Sequence, residues 1–510
     1  MEPFAPVAIG CADLSLGDVV AVARRFIPAA LDARAVPKIR AARDLVERTV
    51  ATNDCIYGVT TGFGRLKNVR IPAAEAVALQ QNLVRSHSAG VGEPLSEEVV
   101  RAGLLLRANS LARGNSGVRL ELIELILELL NRRVTPVIPS QGSVGASGDL
   151  APLAHMALVL MGEGEAWFRE RRESGAMALE RAQLRPLVLS YKEGLSLING
   201  TQIMTGIGAL VLERAANICK AADITAAMSL EAYLGTDAAF DERLNALRPH
   251  AGQARVAANL RHLLRDSGIM ASHRGCDRVQ DPYSFRCTHV VHGPVRDTLR
   301  FAANTVEIEM NSVTDNPIVF PEDGVFISGG NFHGEPVALA MDYLAIALSE
   351  LGSIAERRID KLLDGTQGMP PFLTERHGLC SGFMLAQYTA AALVSENKTL
   401  AFPASVDSIP TSAGQEDHVS MGTIGARQCA QVVANLENII AIELLEAAQA
   451  LDFRAPLACG QGTAAAYSLL RSRVPHLDGD RDLSVDIATA RQLLSSGELV
   501  AAVQAEIGDL

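Results

Sequence analysis

The sequence predicts a mainly α protein, with a loop-rich N-terminal region over residues 1–112 followed by a long-helix bundle over residues 113–510. Three observations carry this reading. Hydrophobic residues make up 48% of the chain and aromatics only 4%. The apolar mass is therefore aliphatic, which suits packed helices better than β-sandwiches. Beyond about residue 112 long apolar stretches recur at helical spacing. Before that point Gly58, Gly62, Gly64, Gly90 and Gly92 break the pattern into short elements and loops. A chain of 510 residues also exceeds one compact core, so two or more structural units are expected.

The first strong helix is expected over 118–133, where Glu121, Glu124 and Glu128 form one stripe and leucines and isoleucines fill the rest. Pro136 and Pro139 are expected to end it and to present the loop from Gly142 at a helix end. Residues 162–174, with Trp167 and a charge cluster, read as a small exposed excursion. Long helices are expected over 204–234, 297–310, 335–363, 381–399 and 423–451, several of them nearly apolar all round. No internal repeat is evident at a period of 20 to 50 residues.

Composition excludes several classes of function. A net charge of -12 and a pI near 5.5 argue against a nucleic-acid partner, which would want a basic face. The opening Met-Glu-Pro-Phe-Ala-Pro lacks the basic n-region and apolar core of a signal peptide, and no run approaches ~18 uninterrupted apolar residues, so no membrane span is expected. The eight cysteines show no Cys-x-x-Cys pair, which favours reduced thiols in a cytoplasmic protein. The eleven histidines show no His-Glu-x-x-His and no Cys/His quartet, so no metal is expected, and no nucleotide is expected either. His155 and His476 read as packed or surface residues.

The most informative stretch is Gly142-Ser-Val-Gly-Ala-Ser-Gly-Asp-Leu150. It is not a P-loop, which needs Gly-Lys-Ser/Thr. Nor is it a nucleophile elbow, because the residue two after Ser147 is Asp149 rather than glycine. Its chemistry is that of the backbone. A glycine nitrogen reaches conformations closed to other residues, so Gly148 N can fold back onto the Ala146 carbonyl, close a five-membered ring and expel water. Loss of the Ser147 hydroxyl then leaves an exocyclic methylidene, made strongly electrophilic because ring closure ties up the amide lone pairs.

This nonapeptide, followed by Ala-Pro-Leu-Ala-His, resembles the signature of the aromatic amino-acid ammonia-lyase family, and the resemblance runs over essentially the whole chain. It implies an ammonia-lyase-like helical fold and a methylidene-imidazolone prosthetic group formed autocatalytically from Ala146, Ser147 and Gly148. Tyr57, in Tyr-Gly-Val-Thr-Thr-Gly-Phe-Gly, matches the family loop whose tyrosine is the favoured base for the β-proton. A phenol titrates near ~10, so that role requires neighbours that lower it. Arg286, in Gln280-Asp-Pro-Tyr283-Ser-Phe-Arg-Cys287, matches the arginine that holds the substrate carboxylate, for which a guanidinium fork is suited. Gln280 is carried over with it as substrate-binding, and Tyr283 as lying against the prosthetic group. Asn199, in Leu-Ile-Asn-Gly-Thr-Gln, resembles the asparagine that bonds the imidazolone oxygen. Phe332, in Ser-Gly-Gly-Asn-Phe-His-Gly-Glu-Pro, resembles an aromatic wall beside it.

Substrate choice rests on few positions. His87, in Leu-Val-Arg-Ser-His-Ser-Ala-Gly, matches the selectivity residue of histidine-acting members, although tyrosine-acting relatives can also carry a histidine there. Glu416, in Gln-Glu-Asp-His-Val-Ser, stands where members acting on phenylalanine or tyrosine usually have glutamine. A carboxylate accepts an imidazole N–H and stabilises its cation. A phenyl ring would leave that charge buried and unpaired, at a cost of several kcal/mol. Met384, in Ser-Gly-Phe-Met, follows the histidine pattern too. The chain departs from the family at Thr288-His289-Val290, where Cys/Thr-x-Pro-Gln is general after the arginine, at Phe402 in place of a histidine, and at Cys380 in place of an asparagine. The resemblance implies elimination of ammonia from L-histidine to give trans-urocanate, in a homotetramer whose sites are built from loops of three subunits. A tyrosine or phenylalanine ammonia-lyase and an aminomutase with the same prosthetic group are the alternatives. A non-enzymatic helical scaffold, or a fumarase-type lyase, would lack that group, and the Gly-Ser-Ser-x-Met-Pro-x-Lys-x-Asn signature of the latter is absent.

Overall fold

A computed structural model describes residues 5–52 and 54–510. Among these, 20 α-helices accompany nine short strands, in agreement with the mainly α expectation. The chain forms two compact units. One comprises Met1–Glu213, Ala303–Asp342 and Pro403–Arg427, and the other Arg214–Ala302, Tyr343–Phe402 and Gln428–Leu510. The expected division near residue 112 is not where they separate. The helices Leu120–Asn131 and Leu150–Leu160 pack on N-terminal helices, the first on Glu97–Ala112 and the second on Ala76–His87, so the first unit extends well past that point.

The N-terminal region is also more helical than its glycines suggest. Leu16–Arg25 starts from a capping box in which Ser15 and Asp18 satisfy each other's backbone N–H. Glu97–Ala112 is buried from Val100 onward, with Arg101 and Arg107 inside. Its polar residues hide the periodicity, and they survive burial because each finds a partner. Arg101 donates to the Val22, Ala23 and Leu130 carbonyls, and Arg107 to that of Asn199.

Leu120–Asn131 matches its expected pattern, with leucines and isoleucines buried and Glu121 and Glu124 exposed. The prolines that follow do not place the Gly142 loop at the end of this helix. Pro136 and Pro139 sit in two short strands, Val134–Pro136 and Pro139–Gln141. The loop therefore precedes the N-terminus of the next helix, Leu150–Leu160. The expected excursion is a hairpin, Glu165–Phe168 with Arg171–Ser174, whose first strand pairs with Val134–Pro136 and sets Trp167 opposite Thr135.

The long helices are Gln202–Ala232, Thr288–Met310, Glu335–Leu363, Met384–Leu400 and Gly422–Asp452. Thr288–Met310 starts nine residues before the expected 297 and accommodates Pro294 inside it. The departing residue His289 lies in its first turn, buried, with its ring edge-on to Phe240 at 5.3 Å. Burial first, then His292 and Arg248, push its pKa down to about 4, so it is a neutral packed ring. By length and composition one described helix, Glu335–Leu363, would suffice to cross a membrane, but 67% of its apolar window is buried within the protein.

Candidate active site

The Gly142 loop is clamped by hydrogen bonds on every side within the first unit. Met421 N donates to the Val144 carbonyl at 2.9 Å, Ser420 Oγ to that of Gly145 at 3.1 Å, and Gly200 N to that of Ser147 at 3.2 Å. Asp149 N donates in turn to the Gly200 carbonyl at 2.7 Å. Two glycines permit this closeness. Gly145 and Gly148 both have φ of +72°, and a Cβ on Gly148 would lie 2.0 Å from the Gly200 oxygen. The backbone of Gly148 is thus pressed against a neighbouring chain segment in a left-handed conformation, an arrangement that suits a glycine nitrogen folding back on residue 146. The tripeptide and its cradle fit the prosthetic group that the sequence implies.

Asp149 locks the loop to the helix behind it. Its Oδ2 accepts from Ile203 N and Met204 N at 2.9 and 3.0 Å, where Gln202–Ala232 begins, and its Oδ1 accepts from Thr423 Oγ1 at 2.5 Å. Complete burial raises its pKa to about 6, against the pull of those donors and of Arg107.

The loop faces a cavity of about 510 Å³ and a pocket of about 180 Å³, both bordered by Tyr57, Ser147, Phe332 and Glu416. Ala146 borders the first, and His87 and Asn199 the second. The expected residues of the first unit therefore converge, although Tyr57 and Glu416 lie about 360 positions apart in the sequence. Glu416 is held at one oxygen by the Thr411 hydroxyl at 2.7 Å, while its other oxygen lies 3.5 Å from Ser147 Oγ. His87 ends the helix Ala76–His87 and is kept neutral by burial, which outweighs the attraction of Glu416 for its cation. Asn199 caps the helix Glu193–Ile198 with its amide nitrogen 3.2 Å from the Asn316 carbonyl. Tyr57 OH accepts from Gly64 N at 3.3 Å. Burial and the Glu416 carboxylate raise its pKa rather than lower it. Among the described residues no cation contributes to that shift, although Lys67 borders the same cavity.

Gln280, Tyr283, Arg286 and Met384 belong to the second unit and line neither of these spaces. Arg286 is stacked 4.4 Å over the exposed ring of Tyr283, makes no ion pair among the described residues, and its Nε is buried without a hydrogen-bond partner. Gln280 is exposed, beside a separate cavity of about 270 Å³, and Met384 begins the helix Met384–Leu400 half-buried.

Several site residues had no signal in the sequence. Asn316 lines both spaces and meets Asn199, but its Asn-Pro dipeptide reads only as a turn. Lys192 and Asp315 form a fully buried ion pair at 2.6 Å, with Ser196 between them, which fixes the segment leading into Asn316. His333, Glu335 and His418 draw together at the rim, and the 85 positions between the two histidines conceal that from any spacing rule.

A long-helix protein with a tightly held Ala-Ser-Gly loop facing a cavity is the class that fold and site define. Solved structures agree. The chain is similar to a histidine ammonia-lyase from Trypanosoma cruzi (TM-score 0.92, 42% identity, covering 99% of this chain and 96% of that one). It is equally similar to a tyrosine aminomutase from Streptomyces globisporus (TM-score 0.93, 40% identity, 99% and 100%). Among curated relatives, a histidine ammonia-lyase of Gloeobacter violaceus is 54% identical over 503 residues, 98% of each chain. The family model "aromatic amino acid lyase" matches residues 14–472. The chain belongs to the aromatic amino acid lyase family and is an enzyme of the lyase class.

Proposed function

We propose that the chain eliminates ammonia from L-histidine to give trans-urocanate, a catabolic reaction. The observation that carries this reading is the placing of Glu416 against Ser147, with His87 bordering the same pocket. It is supported by the name of relatives at 54% identity over nearly the full chain. The methylidene-imidazolone formed from Ala146, Ser147 and Gly148 supplies the electrophile that activates the substrate amine for departure.

The chain's own residues do the rest. The Glu416 carboxylate, oriented by Thr411, accepts the substrate imidazole N–H. Neutral His87 leaves that carboxylate as the charge opposite the ring. The Asn199 side chain, whose amide donates to the Asn316 carbonyl and whose backbone carbonyl accepts from Arg107, would stabilise negative charge on the group formed from residues 146–148. Tyr57 removes the β-proton, Arg286 holds the α-carboxylate, and Tyr283, Phe332, Gln280 and Met384 enclose the substrate. A base role for Tyr57 calls for a cation beside the phenol, and none contributes to its raised pKa. We assign the supply of that cation to assembly as a homotetramer. In support, Leu339, Tyr343 and Ile346 form an apolar stripe on one face of Glu335–Leu363, each 42–51% exposed. All eight cysteines are free thiols, in keeping with a cytoplasmic setting.

The test is an absorbance assay against histidine, tyrosine and phenylalanine, with chromatography for β-amino acids. Urocanate from histidine, with at most traces of product from the others, is expected. A β-amino acid as main product, or preference for tyrosine, would establish an alternative.

A further inference from the structure

We propose that His333, Glu335 and His418 form a binding site for a divalent transition cation, of the zinc or cobalt class, at the rim of the active-site cavity. Two imidazoles and one carboxylate are a donor set that suits zinc and its neighbours and leaves a fourth position for water. One ligating atom from each residue lies within 4.8 Å of the others. Ligands around a tetrahedral zinc are roughly 3.3 Å apart, at metal distances of about 2.1 Å, so closure needs a shift of about an ångström. His418 is exposed and free to make it.

Two further observations point to a ligand here. Glu335 Oε2 is buried and has no hydrogen-bond partner among the described residues, a costly state for a carboxylate oxygen. The ring of His333 is also already set in one tautomer. Glu335 N can only donate, and it lies 3.3 Å from His333 Nδ1, while Nε2 faces the His418 carbonyl at 3.2 Å. Nδ1 therefore carries the lone pair and Nε2–H is anchored on a backbone oxygen, the arrangement typical of metal-bound histidines. The long Nδ1 contact is the one a metal would replace. Access is open from a cavity of about 290 Å³ bordered by His333, Glu335 and Glu309, and from the larger cavity that both histidines also border. The ion would tie the loop carrying Phe332 to the loop carrying Glu416.

This inference does not depend on which amino acid is the substrate. The full chain, stripped with chelator, should take up one equivalent of Co²⁺ and develop visible d–d absorbance, which Zn²⁺ abolishes by displacement and Mg²⁺ does not. His418→Ala and Glu335→Gln, each checked for retained helicity, should weaken Co²⁺ binding at least about tenfold. Absence of uptake, or uptake unchanged in both variants, would overturn the proposal. So would uptake that disappears on alkylating the cysteines, which would assign the metal to thiolates.

Discussion

At Glu416 one carboxylate oxygen is committed to Thr411 and the other faces Ser147 at 3.5 Å. Glu416→Gln keeps the size and reach of the side chain and removes its charge. Histidine turnover is expected to fall by roughly two to four powers of ten, the usual span for one positioned acid–base group. Residual turnover of phenylalanine should hold or rise, since an unpaired buried charge has gone. Equal loss for both substrates with a lower Tm would reduce Glu416 to a partner of Thr411. Arg286→Lys separates binding from structure in a different way. The arginine makes no ion pair among the described residues and rests on the exposed Tyr283 ring, so Tm should barely move. A point charge cannot reproduce the guanidinium fork, so kcat/KM should fall by about 1.5–3 kcal/mol of transition-state stabilisation. Near-normal kcat/KM would place the carboxylate anchor elsewhere. At this scale residue identity was legible because each side chain sat in a distinctive motif. The state of each was not: the raised pKa of Tyr57 depends on burial and on Glu416, and the neutrality of His87 on burial that outweighs Glu416, which lies hundreds of positions away.

The element to which the proposed chemistry belongs is the loop from Gly142 to Asp149. Intact mass should show the chain lighter by two waters, and Ser147→Ala should abolish both that deficit and nearly all activity; an unmodified mass in an active preparation would refute cyclisation. Gly148→Ala should also prevent it. The new Cβ would meet the Gly200 carbonyl, which the Asp149 N–H already holds. Asp149 makes the loop pH-sensitive. Its folded pKa of about 6 stands above its ordinary 3.8, so its contribution to stability is present below about pH 4 and is lost as pH rises through 6. Ionising it in place costs about 3 kcal/mol. Asp149→Asn should therefore gain stability relative to the parent by about that much between pH 4 and pH 7, read as a widening difference in thermal unfolding. A difference that stays flat would mean the carboxyl is not titrating there. The loop's composition was plain in the sequence. Its place before a helix rather than after one was not, because prolines read as helix stops also start short strands.

For the whole molecule, light scattering should find four chains of 54.2 kDa together, and Tyr343→Glu, on the exposed stripe of Glu335–Leu363, should shift the population to smaller species with loss of activity. A fully active single chain would contradict both the assembly and the external origin of the cation beside Tyr57. By itself the sequence determined the helical class, the approximate position of five long helices, the Ala-Ser-Gly tripeptide and the residue types proposed for the site. Helical periodicity, turn residues and motif chemistry are local properties, written in consecutive positions. Only the tertiary structure decided that the compact units are discontinuous in sequence, that Tyr57, His87, Asn199, Phe332 and Glu416 border shared space, and that Asp149, Asn316 and the Lys192–Asp315 pair hold them there. Those facts depend on which distant segments exclude water from one another, and burial of that kind leaves no spacing for a sequence to display.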